Sequence, residues 1–148
     1  MRIVIACDHG GFPLKSFVKQ VVLSGGHDVL DVGTDSSESV DYPDFTKKAG
    51  KLVQTGEADR GIILCGSGVG ACIAANKMQG IYASVCHDTY TAHQGVEHDN
   101  MNILCIGARV IGPELARDII LSFLSADFRE DERFRRRFEK VKLIEESE

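Results

Sequence analysis

Short apolar runs that end in glycine-rich turns, each followed by a segment of helical spacing, recur along this chain and leave few folds open to it. Ile3-Val4-Ile5-Ala6 is a β-rich run followed by Gly10-Gly11. From about Phe12 to Leu23 the apolar positions Leu14, Phe17, Val18, Val21 and Val22 follow a helical period, which Gly25-Gly26 ends. Val29 to Val32 reads as a second strand, residues 34 to 42 as a polar loop, and about Pro43 to Thr55 as a helix closed by Gly56. Ile62-Ile63-Leu64 is a third strand that Gly66-Ser67-Gly68 turns into a helix running to Lys77 or Met78. Ile81 to Val85 and Ile103 to Ile106 supply two more strands. The first of these leads through a cap at His87-Asp88-Thr89 into a short helix, the second into a helix from about Pro113 to Leu124. The tail from Phe128 to Glu148 is charged and helical in pattern.

Strands that alternate with helices in this way imply βαβ units and a parallel sheet. The expected fold is α/β: a three-layer α/β/α, Rossmann-like arrangement with a five-stranded parallel sheet in order 2-1-3-4-5. A C-terminal helical tail follows, and residues 1–148 form one domain. In such a sheet the chain reverses direction between strands one and three, and ligands bind beyond the carboxyl ends of the strands at that point. The loops there are Cys7-Asp8-His9-Gly10-Gly11 and Cys65-Gly66-Ser67-Gly68-Val69-Gly70.

Cys65 ends an apolar strand just before a helix, where free backbone N–H groups would favour a thiolate. The glycines let the backbone approach a ligand and aim N–H groups at a developing oxyanion. As a plain core cysteine it would leave Ser67 and the glycines around it unexplained. Gly66-x-Gly68-x-x-Ala71 also fits a dinucleotide fingerprint, with Asp88 twenty residues past Gly68. Against that reading, the motif follows the third strand rather than the first, and no second domain is available to hold a hydride acceptor. A phosphate loop of the Gly-Lys-Ser/Thr kind is absent. Asp8-His9 before a glycine pair is by itself an ordinary turn, and becomes a site when it faces Cys65 across the switch point. His98 precedes the fifth strand, at its amino end, so it is either a surface histidine or a residue that serves a site across a subunit boundary. His87 and His93 form no metal-ligand spacing with Asp88 or Asp99, so no metal is expected. Arg133 and Arg137, four apart, share a helix face and could clamp a phosphate together.

Composition enters as an excluder. A net charge of −5 on 148 residues disfavours nucleic acid as the main partner. No run approaches the ~20 apolar residues of a membrane helix, and the N-terminus lacks the pattern of a signal peptide. Five cysteines without a C-x-x-C pair argue against a disulfide framework or structural zinc, so a reduced, cytoplasmic chain is expected.

Taken together, the two loops, Gly33-Thr34, Ser39-Val40-Asp41-Tyr42-Pro43, Ala74-Ala75-Asn76-Lys77 and Gly107-Ala108-Arg109-Val110-Ile111-Gly112 resemble the type B ribose-5-phosphate isomerases. That family shares its fold with the galactose-6-phosphate isomerase subunits. The resemblance runs over nearly the whole chain and implies a cofactor-free aldose–ketose isomerisation through an enediolate. By position it implies Cys65 as the base between C2 and C1, and Ser67 as the carrier of a proton between the oxygens. Gly66, Gly68, Val69 and Gly70 belong to the anion hole, and His98 with Asp8 to ring opening. His9, Arg109, Arg133 and Arg137 would bind phosphate; Tyr42 and Asn102 would contact substrate. It further implies a dimer or tetramer with sites shared between subunits. The chain departs from the family pattern twice. Asp99 follows His98 where relatives often have Asn, which sets a carboxylate at a substrate-binding position where a neutral amide usually donates, and Asp131-Glu132-Arg133-Phe134 stands for the usual Gly-Gly-Arg-His. A different sugar of four or six carbons, an unphosphorylated one, or a binding module without catalysis are the alternatives.

Overall fold

The computed structural model describes residues 1–148. Its elements are β1 (Arg2–Cys7), α1 (Phe12–Ser24), β2 (Asp28–Asp31), α2 (Tyr42–Gln54), β3 (Arg60–Cys65), α3 (Val69–Ala75), β4 (Ala83–Val85), α4 (Thr89–Asp99), β5 (Ile103–Gly107), α5 (Pro113–Ser125) and α6 (Glu132–Ser147). All strand pairs are parallel. Pro13, Pro43 and Pro113 open α1, α2 and α5 at positions where a helix needs no N–H donor. Asp88 caps α4: its two carboxylate oxygens accept from the Thr91 backbone N–H at 2.7 Å and the Thr91 hydroxyl at 2.9 Å. A carboxylate committed in this way is not free to hold a ribose, which removes the acidic partner from the dinucleotide reading.

The sheet has five strands in order β2-β1-β3-β5-β4, which corrects the expected 2-1-3-4-5. The reason lies in what each strand can bury. All five residues of β5 are buried, as suits a strand flanked on both sides. β4 is three residues long with Ser84 exposed, as suits an edge. Asn76, just past α3, closes that edge: its amide accepts from Ala83 N–H at 2.9 Å and donates to Ala83 C=O at 2.8 Å. The same contacts explain why α3 stops at Ala75 and why β4 starts later than Ile81. With right-handed crossovers, moving inward from β4 to β5 puts α4 on the same face as α1.

Alternation along the strands feeds two apolar layers. Ile3, Ile5, Ile62, Leu64, Leu104 and Ile106 pack with α1, α4 and α5 on one face. Val4, Ala6, Ile63, Ile103 and Cys105 face α2 and α3, whose contacts Ala49, Ala71 and Ala75 are small and let those helices lie close to the sheet. Truncating Leu64, fully buried, would cost about 2–5 kcal/mol. α6 stands outside these layers and docks on α4 and the start of β4. Phe138 meets the Tyr82 ring edge-on at 4.9 Å, and Glu145 accepts from Gly80 N–H at 2.8 Å and Tyr82 Oη at 3.1 Å. No helix is long and apolar enough to cross a membrane.

Candidate active site

The exchange of β4 and β5 leaves the switch point between β1 and β3 intact, because Cys7 and Leu64 are still register neighbours there. The loops that follow these strands touch through their backbones. A Cβ on Gly10 would lie 2.9 Å from the Gly66 nitrogen, so only glycine fits. The turn after β5 locks the second loop from behind: Ala108 N–H donates to Cys65 C=O at 2.8 Å and Arg109 N–H to Gly66 C=O at 3.1 Å. Gly107 abuts the Ser67 carbonyl, with no room for a side chain. Its own N–H donates to His87 Nε2 at 2.9 Å. His87 therefore braces the loop, a role the sequence did not signal because the two residues meet only through the β4–β5 pairing.

Gly68 has φ +83°, a left-handed turn that aims its N–H back at Cys65 Sγ, 3.3 Å away. Cys65 is buried at the mouth of this loop, and Ser67 Oγ accepts from Val69 N–H at 3.2 Å. Asp8 is also buried and accepts from Gly11 N–H at 3.0 Å. Nδ1 of His9 accepts from Val40 N–H at 3.2 Å, which ties β1's loop to the polar segment before α2. The Tyr42 ring covers Gly70, and the Arg109 guanidinium lies against Gly66. One chain thus gathers Cys65, Ser67, Asp8, His9, Tyr42, Arg109 and the glycine loop around a single point.

Lys15 supports this wall from beneath. Burial alone would lower its pKa, but hydrogen bonds to Asp35 at 2.9 Å and to Asp31 raise it above the ordinary lysine range. Its Nζ also donates to Thr34 C=O at 2.7 Å, fixing the start of the loop that leads to Tyr42. Burial pushes the Cys7 thiol up to about 11, which removes it as a rival base. Cys72 is held down to about 6, first by a hydrogen bond from Cys105. Its sulfur, however, faces the Ala83 carbonyl at 3.6 Å and the Asn76 amide at 3.5 Å, away from the glycine loop. Geometry therefore favours Cys65. No group of three or more His, Cys, Asp or Glu side chains is placed to hold a metal ion.

The remaining expected residues lie elsewhere. His98 and Asp99 end α4 and precede the amino end of β5, a strand of five residues. At ~3.3 Å per residue, that strand separates them from the Cys65 end of the sheet by roughly 15–20 Å. His98 stacks on Phe134 with ring centroids 4.1 Å apart, and Arg133 lies over the same ring at 4.6 Å. Arg137 and Asp99 line a cavity of about 420 Å³ between β4, α4 and α6. Asn102 ties the start of β5 to the turn before β4: its amide accepts from Tyr82 N–H and donates to Gly80 C=O, both at 2.9 Å. One residue of this second cluster went unnoticed in the sequence, Gln94, while Phe134 stood out there only as a departure from the family pattern. Gln94 carried a readable signal, since it sits four residues before His98 on one helix face.

A family model described as Ribose/Galactose Isomerase matches residues 3–141. The chain belongs to this family. It is 42% identical over 145 residues to ribose-5-phosphate isomerase B of Escherichia coli, covering 98% of this chain and 97% of that one. It is 40% identical over 129 residues to D-erythrulose-4-phosphate isomerase of Pectobacterium atrosepticum, covering 86% and 85%. Ribose-5-phosphate isomerase B of Clostridium thermocellum superposes with a TM-score of 0.95 at 46% identity, covering 99% of both chains. The chain is accordingly an aldose–ketose isomerase of phosphorylated sugars.

Proposed function

We propose that the chain interconverts ribose 5-phosphate and ribulose 5-phosphate, with Cys65 as the base. The observation that carries this reading is the Cys65 sulfur facing the Gly68 N–H at 3.3 Å inside a glycine loop. A carbon acid beside a carbonyl needs a positioned base and stabilisation of the enediolate oxygen, and this loop offers both. The Cys65 thiolate takes the proton from C2 as C1=C2 forms and the negative charge moves onto O1, towards the N–H groups of the glycine loop. Ser67 serves the transfer of the hydroxyl proton from O2 to O1. C2=O2 then forms, and Cys65 returns its proton to C1. Before this, Asp8 and His98 open the furanose ring. His9 and Arg109 bind the phosphate, joined by Arg133 and Arg137.

The separation of His98 from Cys65 supports a site completed by a second copy of the chain, in a homodimer or a dimer of dimers. Val69, Ile73 and Val110, exposed by 52–59% beside the glycine loop, offer an apolar surface for that copy. Five free cysteines suit the reducing cytoplasm. A second reading, a four-carbon sugar phosphate, is favoured by the likeness to the erythrulose-4-phosphate enzyme. The test is turnover of aldose phosphates of four to six carbons in deuterated water. Loss of the C2 proton with ketose formation supports the assignment and ranks the sugars. Binding with no exchange would overturn it in favour of a sensor.

A further inference from the structure

His98 is held in one tautomer by a chain of side chains on its own helix. The Gln94 amide nitrogen lies 2.9 Å from His98 Nδ1 and 3.5 Å from an Asp99 carboxylate oxygen. An ionised carboxylate can only accept hydrogen bonds, so Asp99 decides which way the Gln94 amide turns: its NH₂ faces both neighbours. Nδ1 of His98 must then be the acceptor, and the ring proton sits on Nε2. Glu97 Oε1, 3.7 Å from Nε2, favours the same tautomer while lying beyond hydrogen-bond distance. Glu97 is itself engaged by His93 at 2.8 Å and Arg129 at 3.4 Å. Phe134, stacked within 14° of parallel, fixes the plane of the ring, and about a third of the His98 side chain remains open.

We infer that Gln94, oriented by Asp99, is a positioning residue that presents His98 to the substrate as a neutral hydrogen-bond donor through Nε2–H. This rests on the reading above in which His98 serves ring opening. In that step the O1–H and C1–O4 bonds break and C1=O1 forms. The proton leaves O1 for Asp8 and ends on O4. His98 keeps its own proton and stabilises the charge that builds on O4, as a neutral imidazole can.

The test separates the tautomer from the chemistry. Side-chain ¹⁵N signals of the full-length protein should show His98 protonated at Nε2 alone, and Gln94→Glu should move that proton to Nδ1. Erythrose 4-phosphate cannot close a furanose ring, because its O4 carries the phosphate. Gln94→Glu and Gln94→Leu should therefore lower kcat for ribose 5-phosphate about tenfold and leave erythrose 4-phosphate within about twofold, at unchanged melting temperature. Asp99→Asn should give a smaller loss of the same kind. A wild-type Nδ1–H signal, equal losses on both sugars, or no loss on ribose 5-phosphate would overturn the inference. A wild-type protein that isomerises neither sugar would refute the functional reading, while the ¹⁵N signals still decide the role of Gln94.

Discussion

The glycine loop at Cys65 and the cluster around His98 hold the two halves of the expected chemistry, and they are built in different ways. The first is made of backbone. Gly10, Gly11, Gly68 and Gly107 sit where any side chain would meet backbone carbonyls and amides, so its geometry has little freedom. The second is made of side chains on two helices, α4 and α6, that pack through rings and charges. A backbone site holds the reacting atoms to a fraction of an ångström, whereas a side-chain site can change its donors one residue at a time. The difference suggests where a family can vary its substrate without losing its reaction.

The comparison can be broken most forcefully at Cys65. Cys65→Ala should lower turnover by at least about 10³-fold while the melting curve stays in place; retained C2–proton exchange would remove the proposed base. At the backbone wall, Gly10→Ala forces a Cβ against the Gly66 nitrogen. It should cost about 1–3 kcal/mol in chemical unfolding and about 100-fold in kcat, a joint loss that no change in the second cluster should produce.

On the second cluster the expected effects are smaller, and at Arg137 they fall on binding. Arg137→Ala should raise KM about tenfold for a phosphorylated sugar and leave its unphosphorylated analogue unaffected. An equal rise for both would place Arg137 outside the phosphate site. Lys15→Met sharpens the contrast from the other side, because it acts on stability beneath the first wall. Thr34 C=O and Asp31 would lose a buried partner, with an expected cost of about 2–3 kcal/mol.

The smallest effect is one of pH. Burial opposes it, but hydrogen bonds from Lys19, Gly33 and Lys15 hold the Asp31 carboxyl below its ordinary range. Its folded-state pKa is depressed, so its contribution is present above the unfolded value of about 3.9 and fades as pH falls through the folded value. Melting temperatures of the wild type and Asp31→Asn should therefore converge on acidification below about pH 4. A gap that persists at pH 2 would mean that Asp31 acts by packing.

Much of the first region was legible in the chain. Strand ends, glycine turns and helix caps are local, so Cys65, Asp8, His9 and the Asp88 cap could be read from spacing and residue type. The second region was legible only in its parts. His98, Arg133 and Arg137 stand out in the sequence, but nothing near them shows that Phe134 stacks on His98 or that α6 lies against α4. Asn102 stands beside His98 and Asp99 in a polar run, and only the Gly80–Tyr82 turn, brought in by β4, reveals that its amide is engaged.

The sequence by itself determined the alternation of strands and helices, the loops at the strand ends and the thiol they frame. Residues three or four apart, or alternating along a strand, decide those features. The tertiary structure decided that β5 lies inside β4, that the Cys65 loop is braced by His87, and that His98 meets Phe134 with its tautomer chosen by Gln94 and Asp99. These follow from which strand can be buried on both edges and from which side chains then meet across elements. That competition among distant contacts cannot be read from any one stretch of chain.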